Sequence, residues 1–190
     1  MRMRLVSISL GALILAAVAA SPGCSDDDVP SPTCTGTGCS CTDSACACAA
    51  GADCKAECGE AACSLNCTSA AKCNGNSNGP LTLDCHDTSQ CKGNGGDGSK
   101  ITCEASSNCD LKAGASSTAT CSDAAVCKIN LGDQSTITCE DQARCDIKCD
   151  QDCDVTCAST AICSVTCGPA DGGVAGMTCP NGRIVCGGSC

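Results

Sequence analysis

Residues 121–138 read CSDAAVCKINLGDQSTIT, and residues 139–156 read CEDQARCDIKCDQDCDVT. Both blocks open with a cysteine, five residues and a second cysteine. Both close on a polar stretch, an apolar residue and Thr, which leads into the next block's first cysteine. The Cys-x5-Cys unit recurs at Cys67/Cys73, Cys85/Cys91, Cys103/Cys109, Cys121/Cys127, Cys139/Cys145 and Cys157/Cys163, each pair beginning 18 residues after the last. A constant period over roughly a hundred residues is the signature of stacked supersecondary units that bury their apolar faces against one another.

Three further columns give the block a shape. Two before each first cysteine stands an apolar or small residue: Leu83, Ile101, Ala119, Ile137, Val155, then Met177. One before it stands Thr102, Thr120, Thr138, Thr156 or Thr178, with Asp84 as the exception. Apolar, polar, cysteine is the period-two alternation of a half-buried strand. In STITC it turns Ile137 and Cys139 inward, Thr136 and Thr138 outward, and in CDIKC it puts Cys145, Ile147 and Cys149 on one face. Four after each first cysteine the residue is always Ala or Ser (Ala71, Ser89, Ser107, Ala125, Ala143, Ala161), which suits a segment folded tightly across its own bridge. The stretches NGNSNGP and GNGGDGS supply turns through Gly and Asn.

Each block therefore reads as one coil of an all-β, disulfide-stapled parallel β-solenoid, with strands stacked about 4.8 Å apart and six coils making a rod roughly 30 Å long. Bridges are expected within coils. Equivalent Cα atoms of stacked strands come within disulfide range, but their Cβ vectors run parallel, whereas the bond needs them to converge. A turn inside Cys-x5-Cys supplies convergence, and each such short loop contributes about 2 kcal/mol in the chain-entropy model. The Thr-Cys-x5-Cys unit resembles the coils of disulfide-braced β-helical antifreeze proteins of insects. The likeness covers the coil motif and not its length, since those coils are shorter.

Composition agrees with a chain stapled rather than packed. The 190 residues include 27 Cys and 21 Gly but no Phe, Tyr or Trp, so cross-links stand in for an aromatic core. Formal net charge is -10, which argues against a nucleic-acid partner.

At the N-terminus, Arg2 and Arg4 precede the apolar run LVSISLGALILAAVAA, so residues 1–23 read as an export signal, too short to span a bilayer. Two cleavage sites compete. One follows Ala20. The other is Gly23-Cys24, which resembles a bacterial lipobox, where the cysteine takes diacylglycerol and becomes the N-terminus. Where the usual pattern has Leu and then Ala or Ser, this chain has Ser21 and Pro22. Parity favours lipidation of Cys24, because 27 is odd and bridges consume cysteines in pairs. Residues 24–45 read as a flexible acidic tether rich in Pro, Ser and Thr. Residues 46–66, with shorter cysteine steps, read as a cap, 67–166 as the solenoid and 167–190 as a second cap. Ser25, rather than Asp, follows Cys24, which makes the outer membrane the expected location. The whole resembles uncharacterised cysteine-rich lipoproteins of Gram-negative bacteria, a likeness that implies an envelope location and names no activity.

Candidate sites are few. CSC and CAC near the N-terminus resemble metallothionein, but export exposes thiols to oxidation and a strand period has no purpose in a thiolate cluster. Asp150, Asp152 and Asp154 in DQDCD could converge on Ca²⁺, though Val155 stands where an EF-hand loop has Gly. Ice binding would use ranks of Thr, but the rank at 82, 100, 118, 136 and 154 is interrupted by Lys100 and Asp154. His86, the one His, has no evident nucleophile. No cofactor, metal or catalytic residue is expected. The expected function is a lipid-anchored structural or interaction module at the cell surface, with an envelope protein or polymer as partner. A secreted Ca²⁺- or ice-binding repeat protein is the alternative.

Overall fold

A computed structural model describes residues 31–168 and 173–190. The fold is a parallel β-solenoid with no helix among the described residues, and its strands, numbered in chain order, form two sheets. One sheet stacks β4 (Asp53–Glu57), β6 (Lys72–Asn76), β8 (Gln90–Gly95), β10 (Asn108–Ala113), β12 (Val126–Leu131), β14 (Arg144–Cys149) and β16 (Ile162–Cys167). The other stacks β3 (Ala45–Cys48), β5 (Cys63–Cys67), β7 (Leu81–Cys85), β9 (Lys100–Cys103), β11 (Thr118–Cys121), β13 (Thr136–Cys139) and β15 (Cys153–Cys157). Their outward residues distinguish them as a lysine sheet and a threonine sheet. One strand from each makes a coil, so there are seven coils rather than six.

The extra coil lies in residues expected to form a cap. Ala45 pairs with Ser64 and Asp53 with Lys72, both in parallel register, so β3 and β4 are a full coil with a 19-residue step. One inserted residue hid it from an 18-residue count. Part of the segment expected to be a tether is strand, because β1 (Thr33–Thr35) and β2 (Cys39–Thr42) fall inside residues 24–45. They lie antiparallel on β4 and β3, held by Cys34–Cys39 and Cys41–Cys46. At the other end β17 (Val174–Ala175) runs antiparallel to β16, while β18 (Met177–Thr178) and β19 (Ile184–Cys186) close onto β15. Met177 and Thr178 thus leave the repeat column, and Met177 is half exposed. Both open edges of the parallel stack are finished by antiparallel strands, which leaves no free parallel ladder for another chain to extend.

Between the sheets each coil contributes one apolar pair in the middle of the stack: Ile101 with Leu111, Ala119 with Ile129, Ile137 with Ile147. Where the threonine sheet supplies Leu65 and Leu83, the lysine sheet supplies Gly75 and Gly93. A Cβ on Gly93 would lie 2.8 Å from Leu83 Cδ2 and 2.9 Å from Leu111 Cδ2, so the glycine makes room for leucine. A lumen filled by small and aliphatic side chains in this way accounts for a core without aromatics.

The coil turns at two corners. The first joins the threonine sheet to the lysine sheet, and a bridge spans it in all seven coils, from Cys48–Cys54 to Cys157–Cys163. Between the two sulfurs the chain makes a tight turn: Ser89 N–H donates to His86 O (3.2 Å) and Ala125 N–H to Ser122 O (3.2 Å). The small residue ending the turn is buried in the five inner coils, at Ala71, Ser89, Ser107, Ala125 and Ala143, and partly buried at Ala52 and Ala161. Asp87, Asp123 and Asp141 adopt φ between 54° and 58° inside this turn, a left-handed conformation that Asp tolerates better than most residues. Their carboxylates also reach back one coil: Ser69 N–H donates to Asp87 Oδ2 (3.0 Å) and Ala105 N–H to Asp123 Oδ2 (3.0 Å).

The second corner is bridged in only some coils, by Cys58–Cys63, Cys149–Cys153 and Cys167–Cys186. Between the first two, the cysteine positions hold Leu81, Ser99, Ser117 and Ser135 on one side, and Ser77, Gly95, Ala113 and Leu131 on the other. The serines are buried and form a ladder. Ser99 N–H donates to Ser117 Oγ (3.1 Å), Ser117 N–H to Ser135 Oγ (3.2 Å), and the Ser117 hydroxyl donates to Gly114 O (2.9 Å). Across the described residues no buried side-chain nitrogen or oxygen lacks a partner.

Candidate binding face

Strand alternation decides which side chains the lysine sheet shows to solvent. Down β4, β6, β8, β10, β12, β14 and β16 three outward columns stack in register. The first column runs Asp53, Lys72, Gln90, Asn108, Val126, Arg144, Ile162. The central column runs Lys55, Asn74, Lys92, Asp110, Lys128, Asp146, Ser164. The third runs Glu57, Asn76, Asn94, Lys112, Asn130, Lys148, Thr166.

The chain has 11 Lys and Arg in all, two of them, Arg2 and Arg4, outside the described residues. Seven of the other nine lie on this face, against four carboxylates, while both corners are lined by Asp and Glu. A strongly acidic protein has thus gathered most of its cations on one sheet. Among the described residues, Lys55 is the only one of the seven within ion-pair distance of a carboxylate, at 2.8 Å from Glu57. Hydrogen bonds from Lys55 and Asn76 hold the Glu57 carboxyl below its ordinary range, and Asn94 Nδ2 donates to Asn76 Oδ1 (3.1 Å), continuing the polar ladder along the third column.

The face is grooved. A depression of about 350 Å³ is lined by Lys72, Asn74, Gln90, Lys92 and Asp110. A second, of about 330 Å³, follows it between Asp110, Lys112, Lys128, Asp146 and Lys148. A third, of about 390 Å³, is flanked by Arg144 and the exposed Val126 and Ile162.

The threonine sheet is different in kind. Thr102, Thr120, Thr138 and Thr156 stack in one column. The neighbouring column is broken by Lys100 and by Asp154, whose carboxylate accepts from Arg183 Nε at 2.9 Å. Asp150 and Asp152 lie in the second corner, outside the strands, and Asp154 lies on β15. The three carboxylates therefore do not line one strand face. His86 sits in the first corner with Nδ1 3.2 Å from Glu104 Oε2 of the next coil.

The cysteines of the described residues are fully accounted for. Thirteen bridges take in all 26 of them, including Cys179–Cys190 at the C-terminal end. Sulfurs of adjacent rungs, such as Cys67, Cys73 and Cys91, come within 4.8 Å of one another, but a disulfide sulfur has no thiolate to offer a metal. Bridging on this scale marks a protein of an oxidising, extracytoplasmic compartment. The expected export signal over residues 1–23 and the lipidation expected at Cys24 lie outside the described residues.

Sequence reasoning missed the lysine face, although a signal was present. Lys92 and Lys128 are 36 residues apart, as are Lys112 and Lys148. That is two coils, which a search for an 18-residue period passes over. No protein-family model, curated protein or solved structure matches this chain.

Proposed function

We propose that the protein is a non-catalytic interaction module of a bacterial cell envelope, anchored in the outer membrane by lipid on Cys24, with the lysine face as its working surface. One observation carries this reading more than any other: a disulfide-stapled rod on which most cations of an acidic chain converge on a single sheet. A catalytic centre needs groups converging on one reacting atom, whereas stacked columns spread their groups along an axis, a geometry suited to extended partners.

The anchor is supported by arithmetic. The chain has 27 cysteines and the described residues pair 26, so Cys24 is the one left for thioether chemistry. The residues between Cys24 and β1 provide an acidic, Pro- and Ser-containing connection from membrane to rod.

Intact-mass spectrometry of protein purified from its native membranes, before and after reduction and alkylation, tests the reading. The expected result is an N-terminus at Cys24 carrying an acyl mass, with thirteen reducible bridges. A chain beginning at Ser21 with an unmodified Cys24 thiol overturns the anchor and makes the protein a secreted one.

A further inference from the structure

Resting on the reading of the protein as an extracytoplasmic interaction module, we infer that the lysine face binds a linear anionic polysaccharide laid along the stacking axis, with a carboxylate on every second sugar.

The period comes from the columns. In the central column Lys92 and Lys128 are two coils apart with Asp110 between them, and Asp146 follows. In the third column Lys112 and Lys148 are two coils apart with Asn130 between them. Cations in these two columns are therefore separated by about 10 Å, twice the strand spacing of about 4.8 Å. One sugar in an extended glycan advances by close to one strand spacing, so a ligand lying lengthwise over either column meets an ammonium of that column at every second ring. Amides fill positions between cations, with Asn74 before Lys92 in the central column and Asn130 between the lysines of the third. Amides offer both donors and acceptors to hydroxyl groups. Asp110 and Asp146 would repel a carboxylate but accept readily from hydroxyls, which selects against a charge on every ring.

Charge density and shape separate this partner from others. A nucleic-acid duplex carries one negative charge per roughly 1.7 Å of axis, far denser than about one cation per coil. An anionic membrane is a plane of phosphates, and Asp110 and Asp146 stand in the middle of the surface that would meet it. Grooves of about 350 and 330 Å³ follow one another along the cation columns and share Asp110 as a common wall, a track for a chain.

Calorimetry of the full, oxidised protein with a hyaluronan octasaccharide, which alternates uronate with a neutral amino sugar, tests the proposal. Binding is expected, weakening as salt is raised, and the Lys92→Gln/Lys128→Gln double variant is expected to lose at least about tenfold in affinity. Lys100→Gln, on the opposite sheet, should bind as the parent does. Asp110→Asn/Asp146→Asn should gain affinity for polygalacturonate, which bears a carboxylate on every sugar. All substituted side chains are exposed, and circular dichroism checks that each variant is folded. Absence of hyaluronan binding, equal loss in Lys100→Gln, or preference for phosphatidylglycerol vesicles or duplex DNA each overturns the proposal. A protein acylated at Cys24 that ignores the glycan sinks this inference alone. A non-acylated protein that binds it sinks the anchor and leaves the face assigned.

Discussion

The two corners of the coil solve the same problem with different chemistry. Each must reverse the chain between sheets and stay in register with the coil above and below. The first corner does this with a covalent bridge in every coil. The second bridges coils near the ends, at Cys58–Cys63 and Cys149–Cys153, and holds those between them with buried serines bonded coil to coil. A disulfide in a short loop constrains the unfolded chain. The serine ladder instead satisfies backbone donors that the turn would otherwise bury unpaired. The difference also concerns direction: the bridges close each coil on itself, and the serines tie one coil to the next.

The largest expected effect comes from removing the bridges, most of which lie at the first corner. Full reduction should abolish the near-cooperative β signal in circular dichroism at ambient temperature. Thirteen bridges at about 2 kcal/mol each together exceed the 5–15 kcal/mol typical of a folded domain. A reduced chain that kept its spectrum would show that the aliphatic pairs suffice.

Next comes the serine ladder. Ser117→Ala leaves Ser99 N–H without its acceptor in a buried place, and a loss of about 1–3 kcal/mol is expected in urea unfolding. The comparison sharpens with Ala113→Cys/Ser117→Cys, which copies the Cys149–Cys153 spacing into the middle of the rod. An extra bridge should appear by mass and offset that loss. Failure to close would mean that coils at the ends and in the middle differ in backbone geometry.

A smaller effect is expected at the first corner's aspartates. Asp123→Ala removes the acceptor for Ala105 N–H and puts Ala at φ 58°. A cost of about 1 kcal/mol follows, and the bridge beneath should keep the turn closed.

The smallest belongs to Glu57. Its carboxyl is held below the ordinary value of 4.5 by hydrogen bonds from Lys55 and then Asn76. The contribution is complete above the unfolded-state pKa and disappears as pH falls through the lower folded value. Because the group is exposed, solvent screening keeps the contribution slight. The acid limb of the stability curve should move little in Glu57→Gln, and a large shift would contradict the exposed setting.

The first corner was legible in the sequence because cysteine is rare in most proteins and its pairing is chemically exclusive. Six rungs could be read from an 18-residue step, and the seventh, Cys48–Cys54, escaped only because its step is 19. Ser99, Ser117 and Ser135 keep the same step and stood in plain view. Yet serine is as common on surfaces as in ladders, and only burial tells the two apart. Residues 33–45 looked like tether because Thr, Ser and Gly dominate them. Two bridges and antiparallel pairing to β3 and β4 give that composition a fixed place.

The sequence by itself determined the period, the alternation, the strand class and the oxidising compartment, since each rests on spacing or on the chemistry of one residue type. Tertiary structure alone decided that two sheets form, how many coils stack, and that cations as far apart as Lys55 and Lys148 share one face. The physical reason is that a side chain's neighbours across a parallel sheet are a whole coil away in sequence. Two residues become a surface only when the register between coils is known.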